Sequence, residues 1–170
     1  MMKSFIKYGI MGSLLAFAWT LVGYILGNET QEKLKWLSML VMIIIVVFCF
    51  RAVINEEKKA NEGFISFGKA FGMAFKTGLV MALCSAVFTY LYFNFINPEY
   101  MEFAIQKAQE QMQSQGLSDE QIDMSMKMQA KFMTPAMMTI VAFFSSVIIY
   151  VIVSLIMGAI MKKENPNEMS

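Results

Sequence analysis

The sequence predicts an all-α integral membrane protein: four transmembrane helices in an antiparallel bundle, with an extramembrane helical hairpin between the third and fourth. Three observations carry this. Hydrophobic residues make up 57% of the 170-residue chain and charged residues only 16%, against about 45–50% and about 25% in soluble domains. Four stretches are free of charge, or nearly so, for the roughly 20 residues a helix needs to cross a bilayer. One long polar segment, residues 98–132, separates the third stretch from the fourth. A single membrane domain over residues 1–170 is the expectation at this length.

Residues 8–27 carry no charge. A signal peptide would have a shorter apolar core, about 7–15 residues, ending at a small-x-small cleavage site. No Ala-x-Ala follows here, so this is the first span. Residues 28–35 form a short polar turn. The second uncharged run, residues 36–50, extends to 34–54 through Leu34 and Ala52-Val53-Ile54. Arg51, near its end, can snorkel to the head groups, and Trp36 suits the opposite interface. Residues 55–63, NEEKKANEG, form a solvated loop. Phe64, Phe67, Phe71 and Phe75 then share one helical face, with Lys69 and Lys76 on another. The third helix begins there, at the interface, and spans residues 77–97. Asn97-Pro98 ends it, because proline disfavours helix in the residue before it. Thr134-Pro135 fits an N-cap followed by proline at the first helical position. The fourth span covers residues 135–161, roughly 39 Å at 1.5 Å per residue, so it must tilt or protrude. Lys162-Lys163 closes it, and residues 164–170 are a polar, fraying tail.

Within the polar arm, Met101, Ala104, Ile105, Ala108 and Met112 make a helical stripe. Gln115-Gly116-Leu117 fits a helix stop with glycine in the left-handed position. Ser118 and Gln121 fit a capping box that opens a second helix over residues 119–133.

Four spans put both termini on one side. That side carries Lys3, Lys7, Arg51, Lys58, Lys59, Lys69, Lys76, Lys162 and Lys163, whereas the other carries Lys33, Lys35, Lys107, Lys127 and Lys131. The positive-inside rule places both termini in the cytoplasm and the arm outside. In a bacterial inner membrane the arm is then periplasmic.

Small residues bring helices together in lipid, where apolar burial gives little drive. In the first helix Gly9, Ser13, Ala16, Thr20, Gly23 and Gly27 recur at alternating four- and three-residue steps, a seam with a heptad period. Gly78, Ala82, Ser85 and Thr89 repeat the rhythm in the third helix. Ala142 with Ser146, and Ser154 with Gly158, do so in the fourth. Gly68 and Gly72 form a Gly-x-x-x-Gly pair, which fits either a close helix contact or a chance pairing. These seams are read as the contacts of a four-helix bundle; the alternative is a path lined by hydroxyls. An echo between FIKYG at residues 5–9 and FISFG at residues 64–68 suggests two parallel hairpin halves.

No chemistry announces itself. The chain has no histidine, which removes the commonest general base and metal ligand. Cys49 and Cys84 lie in apolar runs and read as small hydrophobes. Apart from Arg51 no ionisable residue lies in a span, and Asn94 is the most polar candidate at depth. Eighteen methionines include Met124, Met126, Met128, Met133, Met137 and Met138 near the outer face. Thioethers suit Cu(I), but the alternate spacing does not gather them on one face, and flexible packing accounts for them. The sparse, scattered Lys and Arg make no phosphate-binding stripe, so nucleic acid is not an expected partner. No cofactor and no catalytic residue is expected.

GFISFGKAF at Gly63 to Phe71, YFNFINPEY at Tyr92 to Tyr100, GLSDEQID at Gly116 to Asp123 and VSLIMGAIMKK at Val153 to Lys163 together resemble a family of small bacterial membrane proteins. It is known as domain of unknown function 4199. The resemblance runs from the first helix to Lys163. It implies a four-helix membrane domain of Gram-negative bacteria. It implies no activity and carries over no functional residue. The sequence expectation is therefore a non-enzymatic interaction or scaffold protein, in contact with lipid and with itself or another membrane protein. The alternative is a small channel or transporter acting as an oligomer.

Overall fold

The computed structural model describes residues 2–165, so the fraying expected of the tail beyond Asn165 lies outside the described residues. The chain is all-α: α1 (Ser4–Leu26), α2 (Asn28–Lys33), α3 (Lys35–Ala60), α4 (Phe67–Leu91) with a π-helical turn at Tyr92–Ile96, α5 (Tyr100–Ser114), α6 (Asp119–Ala130) and α7 (Pro135–Met161). Four of these, α1, α3, α4 with its π turn, and α7, are long and apolar enough to cross a membrane.

Several boundaries depart from the sequence reading, each for a local reason. The first helix starts one turn early, at Ser4. Residues 28–33, expected as a turn, form a short helix, with Glu29 in its first turn and Lys33 in its last. That placement complements the helix dipole. The expected loop at residues 55–63 is helical as far as Ala60, since Glu56-Glu57-Lys58-Lys59-Ala60 are all good helix formers. The stop comes at Asn61, whose Nδ2 donates to the Glu57 carbonyl at 2.6 Å. Glu62 and Gly63 then take φ of 54° and 87°. Gly63 does so without strain, and Glu62 less comfortably. Helix α4 begins only at Phe67 because Ile65 pairs with Lys163 in an antiparallel β-bridge, each backbone N–H reaching the other's carbonyl at 2.8 Å.

The chain divides into two compact units. One holds the chain up to Ser85 and from Phe143 onward; the other is Ala86–Ala142. In the first unit the core is built around one face of α3: Val46, Cys49, Phe50, Val53 and Ile54. Ala70, Ala74 and Met81 of α4 and Met157 of α7 join it, with Phe5, Tyr8 and Met11 of α1 alongside. Phe50 meets Tyr150 edge-to-face at 6.0 Å between centroids. Buried hydroxyls accompany this core. Ser13 donates to the Ile10 carbonyl and Thr77 to the Met73 carbonyl, both at 2.8 Å. Bonding back to the preceding turn in this way satisfies a serine or threonine inside a helix.

In the second unit α4 ends through the π turn. Tyr92 and Asn97 are both 4% exposed, and Asn97 Nδ2 donates to Tyr92 Oη at 2.9 Å. The Asn97 N–H bonds the Tyr92 carbonyl at 2.8 Å, five residues back, which is the π register. Pro98 follows, and the helix cannot be resumed in register.

Helix α5 closes with the two bonds of a Schellman motif. Leu117 N–H reaches the Met112 carbonyl at 3.3 Å, and Gly116 N–H reaches that of Gln113 at 3.0 Å. Gly116 takes φ 78°. The capping box of α6 is complete, with Ser118 accepting from the Gln121 N–H and the Gln121 side chain accepting from the Ser118 N–H. Ser118→Ala is expected to cost about 1 kcal/mol, seen as faster amide exchange confined to the first turn of α6. Helix α6 ends at Ala130, earlier than Met133, because Phe132 and Met133 N–H groups both turn back to the Gln129 carbonyl. Helix α7 keeps its expected limits, with Thr134 Oγ1 accepting from the Met137 N–H at 3.3 Å.

Candidate functional site

The densest polar constellation lies at one end of the first unit. The last turn and a half of α3 stands beyond the apolar stretch that finishes at Ile54. There Glu56 accepts hydrogen bonds from the Ser4 hydroxyl and the Tyr8 hydroxyl, with Lys7 Nζ at 3.9 Å. Glu57 pairs with Lys69 Nζ at 2.9 Å, and Lys69 also donates to Asn61 Oδ1 at 2.9 Å. Helix α3 is thereby tied to both α1 and α4. Lys163 lies over the Phe64 ring at 5.2 Å.

These ties border an open recess of about 570 Å³, lined by Asn61, Phe64, Ser66, Lys69, Lys163 and Asn165 among others. Ser66 caps α4 weakly, accepting from the Lys69 N–H at 3.4 Å. The recess offers both amides and charges of either sign, Lys69 and Lys163 against Glu62 and Glu164. It can hold polar atoms, but its charges balance and select no particular ligand. A second, smaller cleft of about 80 Å³ lies between α1, α2 and α3, beside Trp19, Thr20, Gly23, Gln31 and Ser38. The Gln31 Oε1 there is buried without a partner.

Both carboxylates at the polar end titrate low. The hydrogen bond from Ser4, then that from Tyr8, holds Glu56 below the usual carboxylate range. The Lys69 hydrogen bond does the same for Glu57, against partial desolvation. A carboxylate lowered by folding adds stability that is present above its unfolded pKa, about 4.3 for glutamate, and is lost as the pH falls through the folded value. The tie between α3 and α4 is therefore expected to hold through the ordinary glutamate range and to loosen only once the pH has fallen below it. A spin label on Glu62→Cys should gain mobility there, and Glu57→Gln should give that mobility already at neutral pH.

The small residues singled out by sequence fall into different settings. A Cβ on Gly9 would stand 2.6 Å from Val80 Cβ, one on Gly78 2.8 Å from Tyr150 Cβ, and one on Gly158 3.2 Å from the Phe71 backbone nitrogen. Ser13, Ala82 and Ser154 are buried, and the Ser154 hydroxyl has no partner. Gly23 stands against the Gln31 side chain. Ala16, Thr20, Ser85 and Ser146 are half-buried. Gly68 and Gly72 have nothing within 4 Å of where a Cβ would stand. Within this chain the pair brings no helix close. Asn94 is exposed, and its amide donates to the Tyr90 carbonyl at 2.8 Å.

Sequence reasoning passed over Gly12, where a Cβ would meet Met81 Cε at 2.7 Å and Cys49 Sγ at 3.0 Å. A strict heptad count steps from Gly9 to Ser13; widening the seam by one residue would have included it. The Ile65–Lys163 bridge had no sequence signal.

Four helices long and apolar enough for membrane crossing, with a capped helical hairpin, define a class, the small multi-helix proteins with membrane character. The particular family follows from comparison. The family described as protein of unknown function (DUF4199) matches residues 7–163, and the chain belongs to it. No curated protein and no solved structure matches the chain.

Proposed function

We propose that α1, α3, α4 and α7 cross the inner membrane of a bacterium as an antiparallel bundle, and that the protein acts there as a non-enzymatic interaction or scaffold protein. The observation that carries the membrane part is the exposure of the long helices. Helix α7 buries only Ser154, Met157 and Gly158, and leaves Ile140, Val141, Phe144, Ile148, Ile149, Ile152, Leu155, Ile156 and Ile160 exposed. Water would penalise such a surface, whereas lipid matches it. The cation asymmetry supports cytoplasmic termini and a periplasmic α5–α6 hairpin.

Two features support an interaction role. The hairpin is closed and capped at its tip, an ordered polar surface rather than a loose loop. The open Gly68–Gly72 face of α4 leaves room for a helix from a second copy or another membrane protein. The buried hydroxyls of Ser13 and Thr77 bond their own helices, which favours packing over a polar path for solute.

Cysteines placed at Gly72 and at Gln113 on the hairpin, crosslinked in native membranes, test the role. Products of twice the chain's mass, or with another membrane protein, are expected. A chain that stays monomeric and free of adducts from both positions would contradict it.

A further inference from the structure

Helix α6 and the turn that follows it carry an apolar stripe that their own chain leaves uncovered. Met124, Met128 and Phe132, one turn apart, are 67%, 63% and 59% exposed, while Ile122 on the opposite side is 4% exposed. The charges on α6 are graded along its length. Asp119 and Glu120 stand in the first turn, Asp123 pairs with Lys127 at 2.6 Å, and Lys131 follows at the end.

The position of the stripe selects its occupant. Phe132 lies three residues before Pro135, the first residue of a 27-residue apolar helix. Three extended residues reach at most about 10 Å. Phe132 is therefore held within that reach of the first turn of α7. The other root of the hairpin, past the end of α4, is apolar too: Phe95 is 74% exposed, and the rings of Phe93, Tyr100 and Phe103 meet in sequence at tilted angles, 5.5 and 6.2 Å between centroids. The tip, from Gln111 to Gln121, is polar and exposed except at Met112 and Leu117. Apolar roots, a polar tip and lysines nearest the root make the pattern of a segment lying at a membrane–water boundary.

We infer that α6 lies along the membrane surface, with Met124, Met128 and Phe132 set into the boundary between head groups and acyl chains, and with Lys127 and Lys131 at the level of the lipid phosphates. This rests on the reading that α7 spans the bilayer. Met124 is the deciding position. The head-group layer is only about 5–7 Å thick on each side. If α6 rose away from the membrane, Met124, two turns before Phe132, would stand about 12 Å farther along the helix axis and clear of that layer.

The test uses the full chain, with Cys49 and Cys84 changed to alanine, in phosphatidylglycerol-containing vesicles. An environment-sensitive fluorophore is placed on a cysteine at Met124, at Gln113 on the tip, or at Ile152 in α7. The expected result is blue-shifted emission at Met124, quenched by lipids spin-labelled near the head group, with neither effect at Gln113. A water-exposed label at Met124 would overturn the inference. So would a blue shift there that spin-labelled lipid fails to quench, which would signify a protein partner, a second copy included. The Ile152 label reports the span by itself: quenching there by lipids labelled deep in the acyl chain, with none at Met124, sinks the surface helix and leaves the spans standing.

Discussion

Gly9→Ala is expected to destabilise the first unit by about 1–3 kcal/mol, the usual range for forcing an extra carbon into a packed contact. The new Cβ would stand 2.6 Å from both Cβ and Cγ1 of Val80 and 3.1 Å from the Thr77 carbonyl. Neither neighbour can give way easily. Val80 is β-branched and stiff on a helix, and the carbonyl is backbone. The two helices must part, and parting them disturbs Ser13 and Thr77, both fully buried. Gly→Ala in a helix otherwise favours the helix by roughly 1 kcal/mol, so the clash itself exceeds the net loss by about that much. Gly68→Ala and Gly72→Ala supply the contrast. Nothing lies within 4 Å of either, so in monodisperse detergent-solubilised protein both are expected to be neutral or slightly stabilising. Thermal unfolding of the three variants, followed by helical circular dichroism, checks the set. If Gly68→Ala instead weakens crosslinking in native membranes, the open face meets a partner there.

Phe50→Ala is the second large effect. Phe50 is fully buried, packs edge-on against Tyr150 and lies 3.0 Å from where a Gly78 Cβ would stand. In a water-soluble core the change costs about 3–5 kcal/mol, part for transfer out of water and part for the cavity. In a membrane the transfer part shrinks, because unfolded spans remain in lipid. The cavity and lost dispersion contacts remain, so about 2–3 kcal/mol is expected. Phe50→Leu, which keeps most of the volume, should recover much of that. Equal losses for alanine and leucine would mean that the ring's aromatic contact with Tyr150, rather than its bulk, holds the site.

What could be read from sequence was local. The limits of α7 follow from Thr134-Pro135 at one end and Lys162-Lys163 at the other. Gly116 at positive φ and the Ser118–Gln121 box are written in adjacent residues, and both form. Elements that depend on distant partners were not legible. Nothing near Ile65 announces that it pairs with Lys163, and that pairing is what delays α4 to Phe67. Residues 55–60 read as a loop because they are charged, yet charge alone does not end a helix; Asn61, Glu62 and Gly63 do. Among the small residues of α1, the spacing could not weigh the members of the seam. Gly9 and Gly12 face side chains closely, whereas Ala16 and Thr20 are only half-buried, and spacing carries no information about what stands opposite. The π turn depends on the buried pair Tyr92 and Asn97. From sequence, Asn94 was the polar residue of interest, yet it faces away from the rest of the chain and its amide bonds the Tyr90 carbonyl of its own helix.

In the proposed topology the chain crosses the membrane four times, with both termini on the cytoplasmic side and the α5–α6 hairpin on the other. A protease added to intact spheroplasts tests it most directly. Cleavage is expected at the exposed tip, near Gln115 to Ser118, to leave two membrane-embedded fragments, with an epitope after Ser170 untouched until the membrane is broken. Cleavage at the tip only from the cytoplasmic side, or release of either fragment into the soluble fraction, would contradict the account.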